Sequence, residues 1–237
     1  LSKADDKQYL SAKYLDDIIS QANVGELTVS EKENLYPTTF VDLFPFVDGQ
    51  EEGVNGYSNN EHLEDMFKLL YVNFTDLRIT QTHVDIFKEK RINQYNIDKE
   101  NPDHAYNLEF VKKFFNDHPR TKSGTEELYN QINLKDLQDF YIDRFKDGGN
   151  FNFVIVGDFE FDEIEPLIEK YIGSLPSLNR EDGYIDRGIR YNLGSEEVKY
   201  EQDNPKKAYV TRLYNKEFNN TVKERYKSYL LYSIIDK

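Results

Sequence analysis

One stretch in the second half of the chain restricts the fold more than any other. Residues 151–158 read Phe-Asn-Phe-Val-Ile-Val-Gly-Asp, an apolar and largely β-branched run that ends at a glycine and an aspartate. Such a run predicts a strand that closes in a tight turn. The apolar spacing from Asp162 to Tyr171 predicts a helix directly after that turn, and Gly173 to Pro176 provides its stop. The sequence therefore predicts a strand, a turn and a helix in succession.

Helical periodicity dominates the residues before this unit. Helices are predicted at residues 8–21, 63–74, 80–97, 105–115 and 134–145. Residues 35–47 and 53–58 flank the turn at Asp48-Gly49 and predict a β-hairpin. Because strands are interrupted by groups of helices instead of alternating with them, the predicted class is α+β, an antiparallel sheet packed against a helical layer.

The pattern also predicts how the chain is divided. Residues 1–178 are expected to form one α+β domain, and the polar, glycine-containing residues 179–194 a linker. Residues 195–237 are expected to open a second unit, with strands at 197–202 and 208–214 and a helix from about residue 220. The first residue is not Met and the last helix has no stop signal, so we expect a piece of a longer polypeptide.

Charge and composition exclude several classes of function. The chain has 30 Lys and Arg against 44 Asp and Glu, a formal net charge of −14. A chain this acidic would be repelled by nucleic-acid phosphates and by an anionic membrane surface. No run approaches the roughly 18 apolar residues of a membrane helix. The absence of cysteine excludes a disulfide framework, a thiolate zinc site and a cysteine nucleophile.

The residues alone predict no catalytic or metal site. A zinc-binding helix of the His-Glu-x-x-His type places two imidazoles on one face, four residues apart. The four histidines, His62, His83, His104 and His118, show no such spacing. Asp147-Gly148-Gly149-Asn150 lacks the spacing and the Lys-Ser/Thr pair of a phosphate loop, so we interpret it as a turn. Substrate-binding residues stay unassigned.

Three segments in order carry a resemblance to a known family. They are residues 136–145 with Phe140-Tyr141, residues 153–159 with Val156-Gly157-Asp158, and residues 164–176 with their Gly-Ser-Leu-Pro end. The segments resemble the pitrilysin/insulinase family of zinc metallopeptidases, and His118-Pro119 upstream fits the same pattern. The resemblance implies a metallohydrolase-like α+β domain of a peptidase built as two halves, each of two homologous domains, around a chamber. It also implies that the first domain here lacks its N-terminal part.

The resemblance further implies that the catalytic metal is held elsewhere. In an active domain of the family, an early helix carries His-x-x-Glu-His, and the corresponding residues here read Lys13-Tyr14-Leu15-Asp16-Asp17. Lys13, Asp16 and Asp17 thus stand at the positions of the zinc motif without preserving it. Glu89 is available where a third ligand would come from. We therefore expect no metal and no catalytic residue in this chain, with zinc in the catalytic half of the parent protein.

The leading hypothesis is a non-catalytic domain of a zinc metalloendopeptidase that forms part of the wall of the substrate chamber. The implied partners are the catalytic half, in the same chain or in a partner subunit, and peptides or unfolded polypeptides; nucleic acid and membranes are not expected. An exported or periplasmic location follows from the resemblance only. The alternatives are a scaffold or assembly protein of the same fold without a proteolytic role, and an unrelated α+β binding module.

Overall fold

The computed structural model describes residues 1–38, 40–49, 51–180, 182–193 and 218–235. Within these residues the α-helices are α1 (Tyr9–Lys13), α2 (Leu15–Ile19), α3 (Val29–Leu35), α4 (Leu63–Thr75), α5 (Gln81–Asp98), α6 (Pro102–Phe114), α7 (Glu126–Gln131), α8 (Leu134–Phe145), α9 (Phe161–Leu167) and α10 (Val222–Ile235). The strands are β1 (Asn23–Val24), β2 (Val41–Val47), β3 (Glu52–Ser58) and β4 (Leu77–Arg78). β1 pairs with β4 and β2 with β3, both antiparallel. The α+β class is confirmed.

The chain divides into two compact units. The first contains residues 1–101 and 123–188, and the second contains residues 102–122 and 189–237. The predicted boundaries at 178 and 195 stay predictions. The two strands predicted at 197–202 and 208–214 lie outside the described residues. No helix among the described residues is both long and apolar enough to cross a membrane.

The hairpin of the first unit forms as the sequence predicts, with a shorter first strand. Val41 pairs with Ser58 and Val47 with Glu52, and the turn lies between them. The register places Gly56 opposite Leu43, where a Cβ atom would approach the Leu43 side chain to 2.2 Å. Glycine is therefore required at position 56, because any side chain would displace the leucine that seals this face of the hairpin against α4.

Aromatic side chains form the centre of the first unit. The ring of Phe74, at the end of α4, meets Phe145 of α8 edge to face at 5.4 Å and Phe151 at 4.8 Å. Phe145 also stacks on Tyr141 at 4.4 Å. The hydroxyl of Tyr141 donates to the backbone carbonyl of Asn73, so this buried polar group is satisfied. The cluster fixes α4 against α8 and holds the start of residues 151–156 beside them.

Helix ends follow the capping residues of the sequence. Asn133 accepts the backbone N–H of Asp136 at the start of α8, and Thr28 and Glu31 form a reciprocal capping box at α3. The apolar periodicity of the sequence does not predict α3 or α7. The helix predicted at residues 8–21 is interrupted, because Tyr14 has φ −107° and ψ 11° and separates α1 from α2.

The structure does not form the strand that the sequence predicts at residues 151–158. The side chains of 151–156 alternate between half-buried and exposed, as in a strand, but no strand is assigned there. Among the described residues, no backbone carbonyl accepts the N–H groups of 152–157. Strand propensity makes the segment extended, whereas a strand also needs a neighbour to pair with. The helix that follows is α9, continued by a π-helical turn at Ile168–Ile172.

The second unit is described by α6, α10 and short connecting segments. On α6, Phe110 stacks on Phe114 at 5.6 Å, and Phe114 stacks on Tyr191 at 4.6 Å. The backbone N–H of Asn192 donates to the carbonyl of Phe114. α10 confirms the helix predicted from about residue 220, and its apolar residues, among them Tyr229 and Leu230, are exposed.

Candidate functional site

Two places in the first unit are candidates for a site: the α1–α2 junction, where the resemblance puts a zinc motif, and a cavity beside β3. At the junction Lys13 ends α1, whereas Asp16 and Asp17 belong to α2. A metal-binding helix needs an unbroken turn to align positions four apart. The break at Tyr14 removes that alignment for Lys13 and Asp17.

Each carboxylate at the junction makes a structural contact. Asp16 accepts the backbone N–H of Val47 at 2.6 Å, which ties α2 to the end of β2. Desolvation raises the pKa of Asp16, and the N–H of Val47 opposes that rise. Asp17 forms an ion pair with Arg91 of α5. The two acidic groups are therefore used to fasten α2 to its neighbours.

An aromatic ring lies beside the third position, Lys13. The Nζ of Lys13 lies 5.5 Å from the ring centroid of Tyr14, and burial lowers the pKa of this lysine. Tyr14 packs 5.5 Å from both Phe87 and Tyr129, and the guanidinium of Arg91 lies 5.4 Å from the Phe87 ring. Burial among these groups raises the pKa of the Tyr14 hydroxyl. An ammonium group has no lone pair to offer a metal and is therefore not a zinc ligand.

The donor set at the junction does not fit zinc. It contains no imidazole, and Glu89 on α5 is exposed. Across the part of the chain that the structure describes, no three His, Cys, Asp or Glu side chains come together as a metal site would require. That Lys13, Asp16 and Asp17 stand where the family's zinc motif stands is a prediction from the resemblance.

The cavity beside β3 has a volume of about 470 Å³. Residues 51–55 of β3 and its turn line it, as do residues 150–153 of the extended segment. Leu70 and Phe74 of α4 contribute apolar surface, and Arg144 of α8 contributes its guanidinium. Because all of these residues belong to the first unit, the cavity is a feature of that unit alone.

Arg144 is the most buried charge of the cavity wall, with 4% of its side chain exposed. It forms ion pairs with Asp143, with Asp182 at 3.1 Å and with Glu52 at 3.4 Å. Three carboxylates therefore surround one guanidinium, which satisfies its donors and compensates its charge. The network joins α8, β3 and residue 182.

Asp143 is held ionised by the same cations. Partial burial raises the pKa of this carboxyl, but hydrogen bonds from Lys146 and Arg144 outweigh it and lower the pKa to about 2. Arg180 donates to a carboxylate oxygen of Asp143 at 3.0 Å and to its backbone carbonyl at 2.8 Å. Asp143 therefore connects α8 to the chain beyond residue 176.

Residues 176–180 and 182–188, here called the strap, lie against the first unit. The buried carboxylate of Asp147 accepts the backbone N–H groups of Leu178 at 2.8 Å and Arg180 at 2.9 Å, and these bonds lower its pKa. The guanidinium of Arg187 donates to the carbonyls of Ser2, Lys3 and Ala4 at 2.8–3.4 Å. Residues 179–194 are predicted as a linker, and among them Arg180, Asp182 and Arg187 make polar contacts with the first unit.

Sequence reasoning missed the cavity and its charge network, although one signal was available. Leu137, Phe140 and Tyr141 define the buried stripe of α8, and Arg144 follows at the next position of that stripe. A charged residue on an apolar stripe is seldom buried without partners. The position therefore predicts buried carboxylates nearby, but the sequence cannot tell which of 44 acidic residues they are.

Comparison with known proteins gives the class. Residues 131–232 match the family model of the peptidase M16 inactive domain. Over 168 residues the chain is 19% identical to the probable zinc protease PqqL of Haemophilus influenzae. The aligned stretch covers 68% of this chain and 17% of that protein. The chain therefore spans about a sixth of this curated relative.

Solved structures agree on the fold. The periplasmic protease PqqL of Escherichia coli superposes with a TM-score of 0.62 and 21% identity, over 79% of this chain and 20% of that one. The peptidase M16 inactive domain of Pseudomonas fluorescens superposes with a TM-score of 0.54 and 17% identity, over 76% of this chain and 45% of that one. The class is an inactive-domain fold of M16 peptidases. Over the matched residues the chain is similar to the pitrilysin/insulinase type of zinc metallopeptidase, on its non-catalytic side.

Proposed function

We propose that this chain is a non-catalytic domain of a zinc metallopeptidase that acts on peptides or unfolded polypeptides, and that it forms part of the wall of the substrate chamber. The observation that carries the proposal is the match of residues 131–232 to an inactive domain of that family. The α1–α2 junction supports it, because Lys13, Asp16 and Asp17 are engaged in packing, hydrogen bonding and ion pairing.

A catalytic half, in the same polypeptide or in a partner subunit, would hold the zinc and supply the hydrolytic chemistry. The contribution of this chain is surface: shape, main-chain hydrogen bonds and charge. Its net charge of −14 favours basic peptides wherever acidic side chains face the chamber. Since the similar protease of E. coli is periplasmic, we propose an exported or periplasmic location for this protein too.

The test is a proteolysis assay on the 237-residue chain with unfolded protein and a quenched-fluorescence peptide library, with added zinc and with a chelator. We expect no cleavage above buffer under any condition. A double variant with Asp16→Asn and Asp17→Asn serves as the control, because it removes the two carboxylates at the junction and keeps their size. Cleavage that the chelator abolishes and that the double variant loses would overturn the proposal.

A further inference from the structure

Polar contacts attach the strap to the first unit near both of its ends. Near the start, the backbone N–H groups of Leu178 and Arg180 donate to the carboxylate of Asp147. Near the end, the guanidinium of Arg187 donates to the carbonyls of residues 2–4. The strap is therefore held by two parts of the first unit that lie far apart in the sequence.

The carboxylate of Asp182 attaches the middle of the strap. It pairs with Arg144 of α8 at 3.1 Å and with Lys3 at 3.5 Å. Lys3 also belongs to residues 2–4, whose carbonyls accept hydrogen bonds from Arg187. Because the middle and the end of the strap share this partner, we expect their contacts to break together.

The strap adds no side chain to the apolar core of the first unit. Its large apolar residues are Leu178, Tyr184 and Ile185, and none of them belongs to the core clusters that the described residues form. The core ends one residue before the strap, at the buried Leu175. Because burial of apolar surface is the main source of local stability, a segment outside the core opens at a lower free energy than the core does.

One donor of the strap is unsatisfied while the strap is attached. The Nε of Arg180 is buried and has no acceptor among the described residues, although the two terminal nitrogens of this side chain reach Asp143 and Asp182. A buried donor without an acceptor destabilises the state in which it is buried, because water bonds the same group once it is exposed. This donor therefore favours the open strap over the attached one.

The strap also forms part of the wall of the cavity beside β3. Asp182, Gly183 and Tyr184 line this cavity, as do Ser2 and Lys3. The rest of the wall comes from the hairpin, α4, α8 and residues 150–153, none of which belongs to the strap. Detachment of the strap would therefore open one side of the cavity and leave its apolar side in place.

We propose that the strap is a movable wall of the cavity, which detaches from the first unit as one piece while the core stays folded. The ion pair of Asp182 with Arg144 and the hydrogen bonds of Arg187 break together, and the cavity becomes accessible from the side of Asp182. The hinge lies next to Pro176, whose carbonyl accepts the N–H of Gly148 and stays fixed. This inference concerns the motion of the strap and does not depend on the proposed function.

The test is hydrogen exchange of the 237-residue chain, followed for single amides by NMR. The amides of Leu178 and Arg180 report on the strap, because both donate to Asp147 while it is attached. We expect these two amides to show equal protection and to exchange at least tenfold faster than the interior amides of α8. Low urea should accelerate the α8 amides and leave the two strap amides unchanged, because detachment exposes little apolar surface.

The substitution Arg187→Gln tests whether the strap detaches as one piece. It removes a contact at the far end of the strap, and we expect it to accelerate exchange at Leu178 and Arg180 at least fivefold, because that contact is already broken in the open state. The matched control is Arg78→Gln, since the ion pairs of Arg78 join residues outside the strap and stay intact when it opens. This control should change exchange at the two strap amides less than twofold.

A thiol in the cavity wall measures the opening of the cavity. The chain has no cysteine, so Val54→Cys supplies a single reactive group on the lining. We expect Arg187→Gln to accelerate the reaction of this thiol with a maleimide at least fivefold. The control Ser20→Cys, at an exposed position, should react at one rate with and without Arg187→Gln.

Three results would overturn the proposal. Strap amides that exchange as slowly as those of α8 in the native chain show that the strap opens only on global unfolding, and this comparison decides even if Arg187→Gln fails to fold. Unchanged exchange at Leu178 and Arg180 in Arg187→Gln shows that the two ends open separately. An unchanged rate at Val54→Cys shows that the cavity does not open with the strap. None of these measurements involves cleavage, so the proposed function is judged separately.

Discussion

Replacement of Arg144 by methionine tests whether the buried charge network holds the cavity wall together. Methionine keeps most of the length of the side chain and removes the guanidinium. The carboxylate of Asp182, 3.1 Å from Arg144 in the native protein, then loses one of its cations. The strap loses one of its direct contacts with α8 and keeps the bonds from Arg180 to Asp143.

The expected loss in the free energy of unfolding follows from the contacts that Arg144 makes. A hydrogen bond between charged groups contributes about 1.5–3 kcal/mol, and the bond to Asp182 is the main loss because the contact with Glu52 is longer, at 3.4 Å. The contact of the guanidinium with the ring of Phe140 adds about 0.5–1 kcal/mol. Arg180, 2.8 Å from Asp182, still neutralises that carboxylate. We therefore expect Arg144→Met to lower the free energy of unfolding by about 2–3 kcal/mol.

Urea denaturation followed by near-ultraviolet circular dichroism measures the change. The control is Lys146→Met, since Lys146 reaches Asp143 from the solvent side and exposed pairs contribute only about 0–1 kcal/mol. A double-mutant cycle with Asp182→Asn isolates the pair, and we expect a coupling of about 1–2 kcal/mol. A loss below about 0.5 kcal/mol for Arg144→Met, or additive effects in the cycle, would refute the reasoning.

Three further substitutions test other contacts. Asp16→Ala leaves the N–H of Val47 without its acceptor and should cost about 1–3 kcal/mol in urea denaturation, whereas Asp16→Asn keeps an acceptor and should cost less; equal losses would contradict this. Gly56→Ala forces a Cβ atom against Leu43 and should cost about 1–3 kcal/mol by the same measurement, with an unchanged midpoint as the contrary result. The pKa of Asp143 is about 2 when folded and about 3.9 when unfolded, so its stabilisation is complete above about pH 4 and disappears as the pH falls toward 2; urea midpoints of Asp143→Asn should lack this step.

The elements that the sequence predicts well are those that depend on their own residues. α8 begins after Asn133 and shows its apolar stripe from Leu137 to Phe145, so periodicity and a cap are enough to locate it. The hairpin is marked by its turn. α3 carries the equally local signal of Thr28 and Glu31, but it buries no residue, and a search for apolar stripes overlooks it.

The elements that the sequence predicts poorly depend on a neighbour. Residues 151–158 have the composition of a strand, and whether they become one is decided by a partner that composition does not name. The break at Tyr14 has the same origin: this ring packs among Phe87, Tyr129 and Arg91, which come from distant parts of the chain. The same holds for the candidate site. The sequence shows Arg144 as a charged residue on the apolar stripe of a helix, but it does not show which three carboxylates surround it.

The contact of Arg187 with the carbonyls of residues 2–4 has a consequence for biosynthesis. A ribosome adds about 5–20 residues per second, so residues 2–4 are made about 10–40 seconds before the guanidinium of Arg187 that binds their carbonyls. During that interval residues 2–4, among them the buried Ala4, lack this contact. A nascent chain halted before the codon for residue 187 should therefore leave residues 2–4 more accessible to a protease than they are in the finished unit.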